Sequence, residues 1–438
     1  MTENKPNIRF KGFEEEWEDK PFADAYKSAA EGGTPSTSVK DYYVGGSIPF
    51  VKIEDTEQKY IHDTASHITE KGMNNSSAWL IPSNSIIFTN GATIGNVAIN
   101  KVPVTTKQGI LGVIQDTSKF DLEYLYYALS TDEFQTEVEK RQSKGTFATI
   151  ILRNLDKIDI PHTSLPEQRK IGEFFKQLDE LIGAKEQELE KLRQIKLALL
   201  DKMFPSDSQD NINGGGKSLI YKMLQNSLQL VVSSPAPNTP TIRFRGFTEP
   251  WEKYLISRRV TYGKGRGYSK ANLQQSGTPI LLYGTLYTDY NTNITEVDRY
   301  STKKEWAVMS KGNEVVVPAS GETAEDIARA SAILKAGIIL GGDLNIIYPD
   351  DKLDASFLAL ELTYGNSHRK LVKKAQGVSV VHLHNTDISE LEINVPSYNE
   401  QRKIGDFFRS QDEAIANSQL QINKLKTIKQ ACLSQMFA

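Results

Sequence analysis

Along residues 171–203 apolar side chains recur near heptad spacing: Ile171, Phe175, Leu178, Ile182, Leu189, Leu192, Leu199 and Met203. The same rhythm closes the chain, in Ile404, Phe408, Ile415, Ile422, Leu425, Cys432 and Met436. Glu, Lys and Gln fill the other positions and no proline interrupts either run. Each is predicted to be a long helix with a narrow apolar stripe, which is the pattern of a coiled coil. Pro166 suits the start of the first helix and Pro205 stops it. Nearly 40 residues make a rod of about 60 Å. Such a rod cannot bury its stripe alone, and the other copy is the obvious partner. The pattern leaves open whether the two pair parallel or antiparallel.

Before each rod the pattern changes. Short strand-like runs alternate with turn residues: GGTPSTS, VGGSIPF and NGATIGN in the first half, GKGRGYS, SGTPI and GGDLN in the second. One helix-period stretch follows in each half, at about Asp121–Arg141 and Ala355–Ala375. A short apolar segment (LDKIDI, ISELEI) then leads into an identical hexapeptide, EQRKIG, at Glu167 and again at Glu400. The openings also repeat: PNIRFKGFEEEWEDK from Pro6 returns as PTIRFRGFTEPWEKY from Pro240. The offsets are 251 − 17 = 234 at the tryptophans and 400 − 167 = 233 at the hexapeptides. Two anchors that far apart hold register to one residue, so the chain is a duplication. The rods and openings match closely, whereas the bodies between them differ almost throughout.

At 438 residues the chain is too long for one ordinary core. A single cysteine, Cys432, excludes an internal disulfide framework and a cysteine-based zinc site, and fits a reducing cytoplasm. No apolar run approaches a membrane span, and MTENKPNIRF has no apolar core of a secretory signal. Net charge is −3, so any nucleic-acid surface must be local.

The tempting catalytic motifs fail. GGGKS at 214–218 needs a glycine where Asn211 stands and a strand where a polar linker stands. QDEAI at 411–415 lies inside the heptad run, so its acids belong to a helix surface. His382 and His384 would share one strand face, but no third metal ligand is near. Neither a methyltransferase tetrad nor a nuclease carboxylate set is present. What stands out is clustered positive charge. SRRVTYGKGRGYSK (257–270) carries Arg258, Arg259, Lys264, Arg266 and Lys270 without an acid, interleaved with Tyr262 and Tyr268. Its glycines permit close approach to a phosphate or groove. Lys140, Arg141 and Lys144 end the helix-period stretch of the first half, and Lys373 and Lys374 answer Lys140 and Arg141 in the second.

With these features assembled, the chain resembles the specificity (DNA-recognition) subunit of a type I restriction–modification system. That family has two target-recognition domains, each followed by a helical repeat that often opens with an EQ-x-x-I motif. The first body resembles one recognition-domain type through GGTPST, GGSIPFVKIEDT, GATIGN and KQGI. It departs at Lys107, where such domains more often carry Asn before the Gln. The second resembles another type through GKGRGYSK, LLYGTLYTDY, SGETAEDIA and GGDLN.

The resemblance implies an α+β fold. It would hold two mixed α/β recognition domains (1–163 and 241–398), each followed by a long helix (164–205 and 399–438), with a linker at 206–240. It also implies antiparallel pairing of the helices in an internal pseudo-twofold repeat. Each body would read one half of an asymmetric bipartite site in double-stranded DNA, with the helices as a ruler between them. Two methyltransferase subunits would dock on the doubled helical surface, and restriction subunits would join. The chain itself would be non-catalytic and cytoplasmic and bind no cofactor, S-adenosylmethionine, ATP and Mg belonging to its partners. Expected DNA contacts are Lys107, Gln108, Lys140, Arg141, Lys144 and Thr146 in the first body. In the second they are Lys264, Arg266, Tyr268, Lys270, Tyr283, Lys373 and Lys374. The competing expectations are a coiled-coil scaffold joining two protein-binding modules, or a reader fused to a DNA-modifying enzyme.

Overall fold

The computed structural model describes residues 6–143, 148–204, 229–233, 238–288, 290–375 and 380–437. Lys144, Thr146 and GGGKS lie outside the described residues. Two compact units are present: residues 1–186 with 420–438, and residues 187–419. Each unit therefore combines one body, the first half of one long helix and the second half of the other.

In the first unit a five-stranded sheet runs in the order Tyr26–Glu31, Ile110–Gln115, Ile86–Thr89, Val97–Asn100 and Tyr60–Ile61. The first three pairings are antiparallel and the last is parallel. Ile86–Thr89 and Val97–Asn100 are buried at every position, which is why they read as continuous apolar runs rather than alternating ones. A three-stranded sheet of His67–Ile68, Ile48–Val51 and Thr105–Thr106 lies beside it in sequence and body.

The second unit repeats the plan despite its different sequence. Its five-stranded sheet runs Val260–Lys264, Leu344–Pro349, Glu314–Pro318, Ser331–Ile333 and Asn293–Ile294. The directions are the same, with the last pair again parallel. In both units the strand before the rod pairs with the strand after the opening: Asp159–His162 with Glu18–Pro21, and Glu392–Val395 with Glu252–Leu255.

The single helix expected over 121–141 is two helices, Leu122–Leu129 and Asp132–Arg141. Thr131 breaks the run because its side chain accepts from the Phe134 N–H and starts a new helix. In the second unit the break falls at Gly365, between Ala355–Tyr364 and Asn366–Lys374. A Cβ there would lie 2.1 Å from Glu361 Oε2, so only glycine fits. The stretch read as a linker also contains a strand. Leu230–Val232 form a strand against Ile242–Phe244, with Leu230 in the core beside Met203 and Phe204.

The long helices span Leu165–Met203 and Tyr398–Met436, 39 residues each. They pair antiparallel within each unit. Asp179 meets Lys429 at 2.6 Å and Glu186 meets Lys426 at 2.7 Å in the first unit. In the second, Asp412 meets Lys196, and Gln419 accepts from Arg193 at 3.2 Å. The two sets are one set written twice: 412 − 179, 429 − 196, 419 − 186 and 426 − 193 all equal 233. Each helix contact in one unit therefore has its counterpart in the other. Each helix ends in Met-Phe inserted beneath a body. Phe437 packs on Trp17, Tyr124 and Phe175 in the first unit, and Phe204 on Trp251 and Phe357 in the second.

Candidate nucleic-acid interface

The repeated hexapeptide anchors each body to its helix. Glu167 is fully buried and accepts a bidentate pair from Arg9, at 2.7 Å from Nε and 2.8 Å from Nη2. Trp17 Nε1 donates to it at 3.2 Å and the Thr163 hydroxyl also donates. The hydrogen bond from Arg9 to this carboxylate raises the guanidinium pKa. In the second copy Arg243 grips Glu400 at 2.6 and 2.7 Å. Its Nη2 also donates to the Glu249 carbonyl, while the Trp251 indole N–H has no acceptor among the described residues.

The other positions have their own roles. Gln168 accepts from the Asp121 N–H at 2.8 Å and donates to the carbonyls of Lys119 and Thr163. Gln401 does the same with Asp354, Lys352 and Pro396. Both thus fix the start of the helix whose N-cap is Asp121 or Asp354. A Cβ on Gly172 would lie 2.8 Å from Tyr124 N, and one on Gly405 2.9 Å from Ser356 Cβ, so the glycines let the two helices touch. Lys170 lies over Phe10 and Lys403 over Phe244. Arg169 and Arg402 point to solvent, as does the exposed Lys170.

In the first unit a second junction ties body to rods. Lys59 sits among Tyr60, Tyr126 and Tyr127, 4.2 Å from the centre of the last ring. It pairs with Glu123 at 2.8 Å and lies 3.7 Å from Asp179, the partner of Lys429. Burial holds the Lys59 ammonium below the ordinary lysine pKa, against the pull of Glu123 and Asp179.

Far from these anchors in sequence, the loops expected to contact DNA converge at one end of each five-stranded sheet. In the first body Gly32 follows the strand Tyr26–Glu31. A Cβ on it would meet Thr106 O at 2.0 Å, and one on Gly33 would meet Ser77 Oγ at 2.1 Å. These glycines let three chain segments cross. The turn after Thr106 is held by Lys107 N to Val51 O and by Gly109 N to Glu31 Oε1, at 3.0 and 2.6 Å. Gly109 is left-handed (φ +86°), leaving Lys107 and Gln108 exposed at the tip. Asn90 and Gly91 both donate to the Gly109 carbonyl, and Gly91 bridges Thr149. Ser143, two residues beyond Arg141, donates its N–H to Thr149 O. So GGTPST, GATIGN, KQGI and the end of the Asp132–Arg141 helix meet. Glu137 accepts from both Lys140 and Arg141.

In the second body Lys264 ends the strand Val260–Lys264. Gly265 N donates to Leu344 O at 2.9 Å, and a Cβ on Gly265 would sit 1.8 Å from Gly341 O. Asn385 Nδ2 donates to Gly263 O and Asn345 Nδ2 to Leu383 O, at 2.9 and 2.8 Å. Ser320–Gly321 pair with Val381–His382. GKGRGYSK, GGDLN, SGETA and the segment after the Asn366–Lys374 helix therefore gather as in the first body. Lys264, Arg266 and Lys270 are exposed, as is Lys373, while Lys374 pairs with Glu390.

Two expected contacts are placed differently. Tyr268 is left-handed (φ +53°) and only 8% exposed, its hydroxyl donating to Thr302 O at 3.2 Å and accepting from Lys304 N at 2.9 Å. Tyr283 is half-buried against the core beside Tyr287. Sequence reasoning passed over Glu31, Asn90, Asn345 and Asn385, the polar side chains that hold these loops. An acid or amide at a strand end carries no signal until the strand order is known. Among the described residues no group of His, Cys, Asp and Glu is arranged to hold a metal. The strand Val381–His382 ends before His384, which stands at the N-cap of the short helix Asn385–Ser389 with its ring parallel to that of His382 at 6.5 Å.

The chain is thus a doubled body-and-helix unit whose sheet ends carry basic, glycine-crossed loops. Comparison with known proteins places it within a family. The family model described as the type I restriction modification DNA specificity domain matches twice, over residues 14–194 and 248–427, and the chain belongs to that family. It is 34% identical over 192 residues to the type I restriction enzyme MjaIX specificity subunit of Methanocaldococcus jannaschii, covering 43% of this chain and 44% of that protein. It is 29% identical over 157 residues to the EcoR124I/EcoR124II specificity subunit of Escherichia coli, covering 35% and 39%. The chain thus matches less than half the length of these curated relatives. The fold is similar to the crystal structure of the type I restriction–modification S subunit from M. genitalium, with TM-score 0.59, 14% identity and 99% of each chain covered. No described helix is long and apolar enough to cross a membrane.

Proposed function

We propose that this chain is the DNA-recognition subunit of a type I restriction–modification complex, each body reading one half of a bipartite site in duplex DNA. The observation that carries this reading is the double family match, once per body with its helix. In support, the exposed residues of each body's sheet end are Lys, Arg, Gln and Gly-supported turns, the groups that reach base edges and phosphates. Lys107 and Gln108 lead in the first body, and Lys264, Arg266 and Lys270 in the second. Lys140, Arg141, Lys373 and Lys374 serve as phosphate contacts, since exposed ion pairs such as those with Glu137 and Glu390 exchange partners at little cost. Recognition domains at 1–163 and 241–398, with the 39-residue helices as the ruler between half-sites, complete this reading.

The helices also present a repeated solvent-facing stripe. Arg169, Glu173, Lys176 and Glu180 in one copy answer Arg402, Asp406, Arg409 and Glu413 in the other, with the same order of charge signs. Their ion pairs are local ones along each helix, Lys176 with Glu173 and Arg409 with Asp406. Duplicated exposed charge fits two copies of one partner, the methyltransferase subunit. Restriction subunits join that assembly, and methyl transfer and cleavage, with S-adenosylmethionine, ATP and Mg, reside in the partners.

Methylome sequencing of cells with and without the gene tests the proposal. The expected result is a bipartite methylated motif that disappears on deletion. An unchanged methylome, with the partner genes intact and expressed, overturns it.

A further inference from the structure

We infer that Trp306, with Lys304, is a DNA-contacting residue that helps set specificity in the second body; this rests on the DNA-reading proposal above. Of the four tryptophans, Trp17 and Trp251 are buried, Trp79 is half-buried and Trp306 is 39% exposed. A large exposed indole is uncommon on a folded surface and calls for a reason. Thr302–Trp306 are all exposed, so the indole stands on a projecting loop.

The loop is built against the glycine turn of GKGRGYSK. Gly267 is left-handed (φ +55°), and a Cβ there would lie 2.4 Å from the Trp306 ring, so the indole rests on bare backbone. The Tyr268 ring supports it at 5.1 Å, and the Tyr268 hydroxyl bonds to Thr302 and Lys304 at the loop's base. Gly267 adopts this backbone freely, but a left-handed Tyr268 is costly unless its surroundings hold it. Here they hold an aromatic outward between cations: Lys304 lies 5.0 Å from the Trp306 ring centre and Arg266 5.9 Å. Lys264, Lys270 and Lys303 add charge in the same two segments, against the one acid Glu305. An apolar edge framed by cations fits a polyanion with apolar patches between its charges. In duplex DNA these are sugars and thymine methyls flanked by phosphates. A protein partner would more often meet a tryptophan in an apolar patch than among five cations.

The test uses the chain assembled with its partner subunits, and duplexes carrying the methylated motif intact or with either half scrambled. W306A is expected to bind the intact duplex about ten-fold more weakly. It should lose discrimination against scrambling of the second body's half only, and W306F should recover part of both. K304A is expected to lower the slope of log affinity on log salt by about one. Iodide quenching of tryptophan emission should fall when DNA binds wild type, but not when it binds W306F. Thermal unfolding of each variant checks that the loop change has not unfolded the body. Wild-type binding and discrimination by W306A overturn this inference alone. Loss of partner subunits from W306A, with DNA contact unchanged, assigns Trp306 to a protein interface and also overturns it. A wild-type assembly that binds no duplex overturns the DNA-reading proposal, and this inference with it.

Discussion

The two bodies share strand order and direction but solve the exposed end of the sheet differently. In the first, the tip is a turn strapped by Glu31 and Val51 that holds Lys107 and Gln108 out. In the second, glycines bring backbone to backbone at Gly265 and Gly341, and an indole takes the outward place. Beneath these ends, the junction with the helices is nearly identical: Arg9–Glu167 and Arg243–Glu400, Gln168 and Gln401, Gly172 and Gly405. Similar frames carry dissimilar tips. The proposed reading of two half-sites accounts for both, because the frame residues face inward and the tip residues face solvent.

The sharpest way to break that comparison is at the buried ion pairs. E167Q leaves the Arg9 guanidinium, 13% exposed, and E400Q the buried Arg243 guanidinium without a charge partner, and each is expected to cost about 3–5 kcal/mol. Denaturant unfolding should show losses of similar size, E167Q acting through the first unit and E400Q through the second by hydrogen exchange. A loss under 1 kcal/mol in either would mean the frame is not equivalent in the two copies. Next in size, F437A is expected to loosen the first unit and F204A the second, each by about 3 kcal/mol. Exchange protection lost around Trp17 in F437A and around Trp251 in F204A would mark the difference; the reverse assignment would refute the crossed packing of the helix ends.

The tips give a functional contrast. K264A/R266A should weaken recognition of the second body's half-site by about 10- to 100-fold, leaving the first half unaffected, and K107A/Q108A should do the converse. Equal loss of methylation at sites altered in either half would refute separate readers. Smallest is the helix pairing: D179N and D412N are each expected to cost under about 1 kcal/mol, since their partners are partly exposed. If D179N costs more, the excess measures Lys59 together with the Tyr127 hydroxyl, both of which Asp179 also meets.

Much of this arrangement was legible in the chain before folding. Heptad spacing predicted two rods because a 3.5-residue repeat permits little else. Duplication at a constant offset predicted a shared plan. The glycines of GGTPST and GKGRGYSK marked close approaches, and the structure shows what approaches them. Other features were hidden. The break at Thr131 lost to a helical pattern that continues through it, since a cap's hydrogen bond is local and overrides periodicity. Tyr268 seemed a surface aromatic because its neighbours are charged, yet its left-handed backbone turns the ring inward. Trp306 attracted no notice because nothing near it in sequence says it will lie on Gly267.

The sequence by itself determined the doubling, the two long helices and the class of residues at the tips, all of which follow from local spacing and repetition. Only the tertiary structure decided which helix end enters which body, that the twin glutamates bind arginines some 158 residues away, and which aromatic faces solvent. Those depend on contacts between segments distant in the chain. Residue order constrains such contacts only through the packing of the whole.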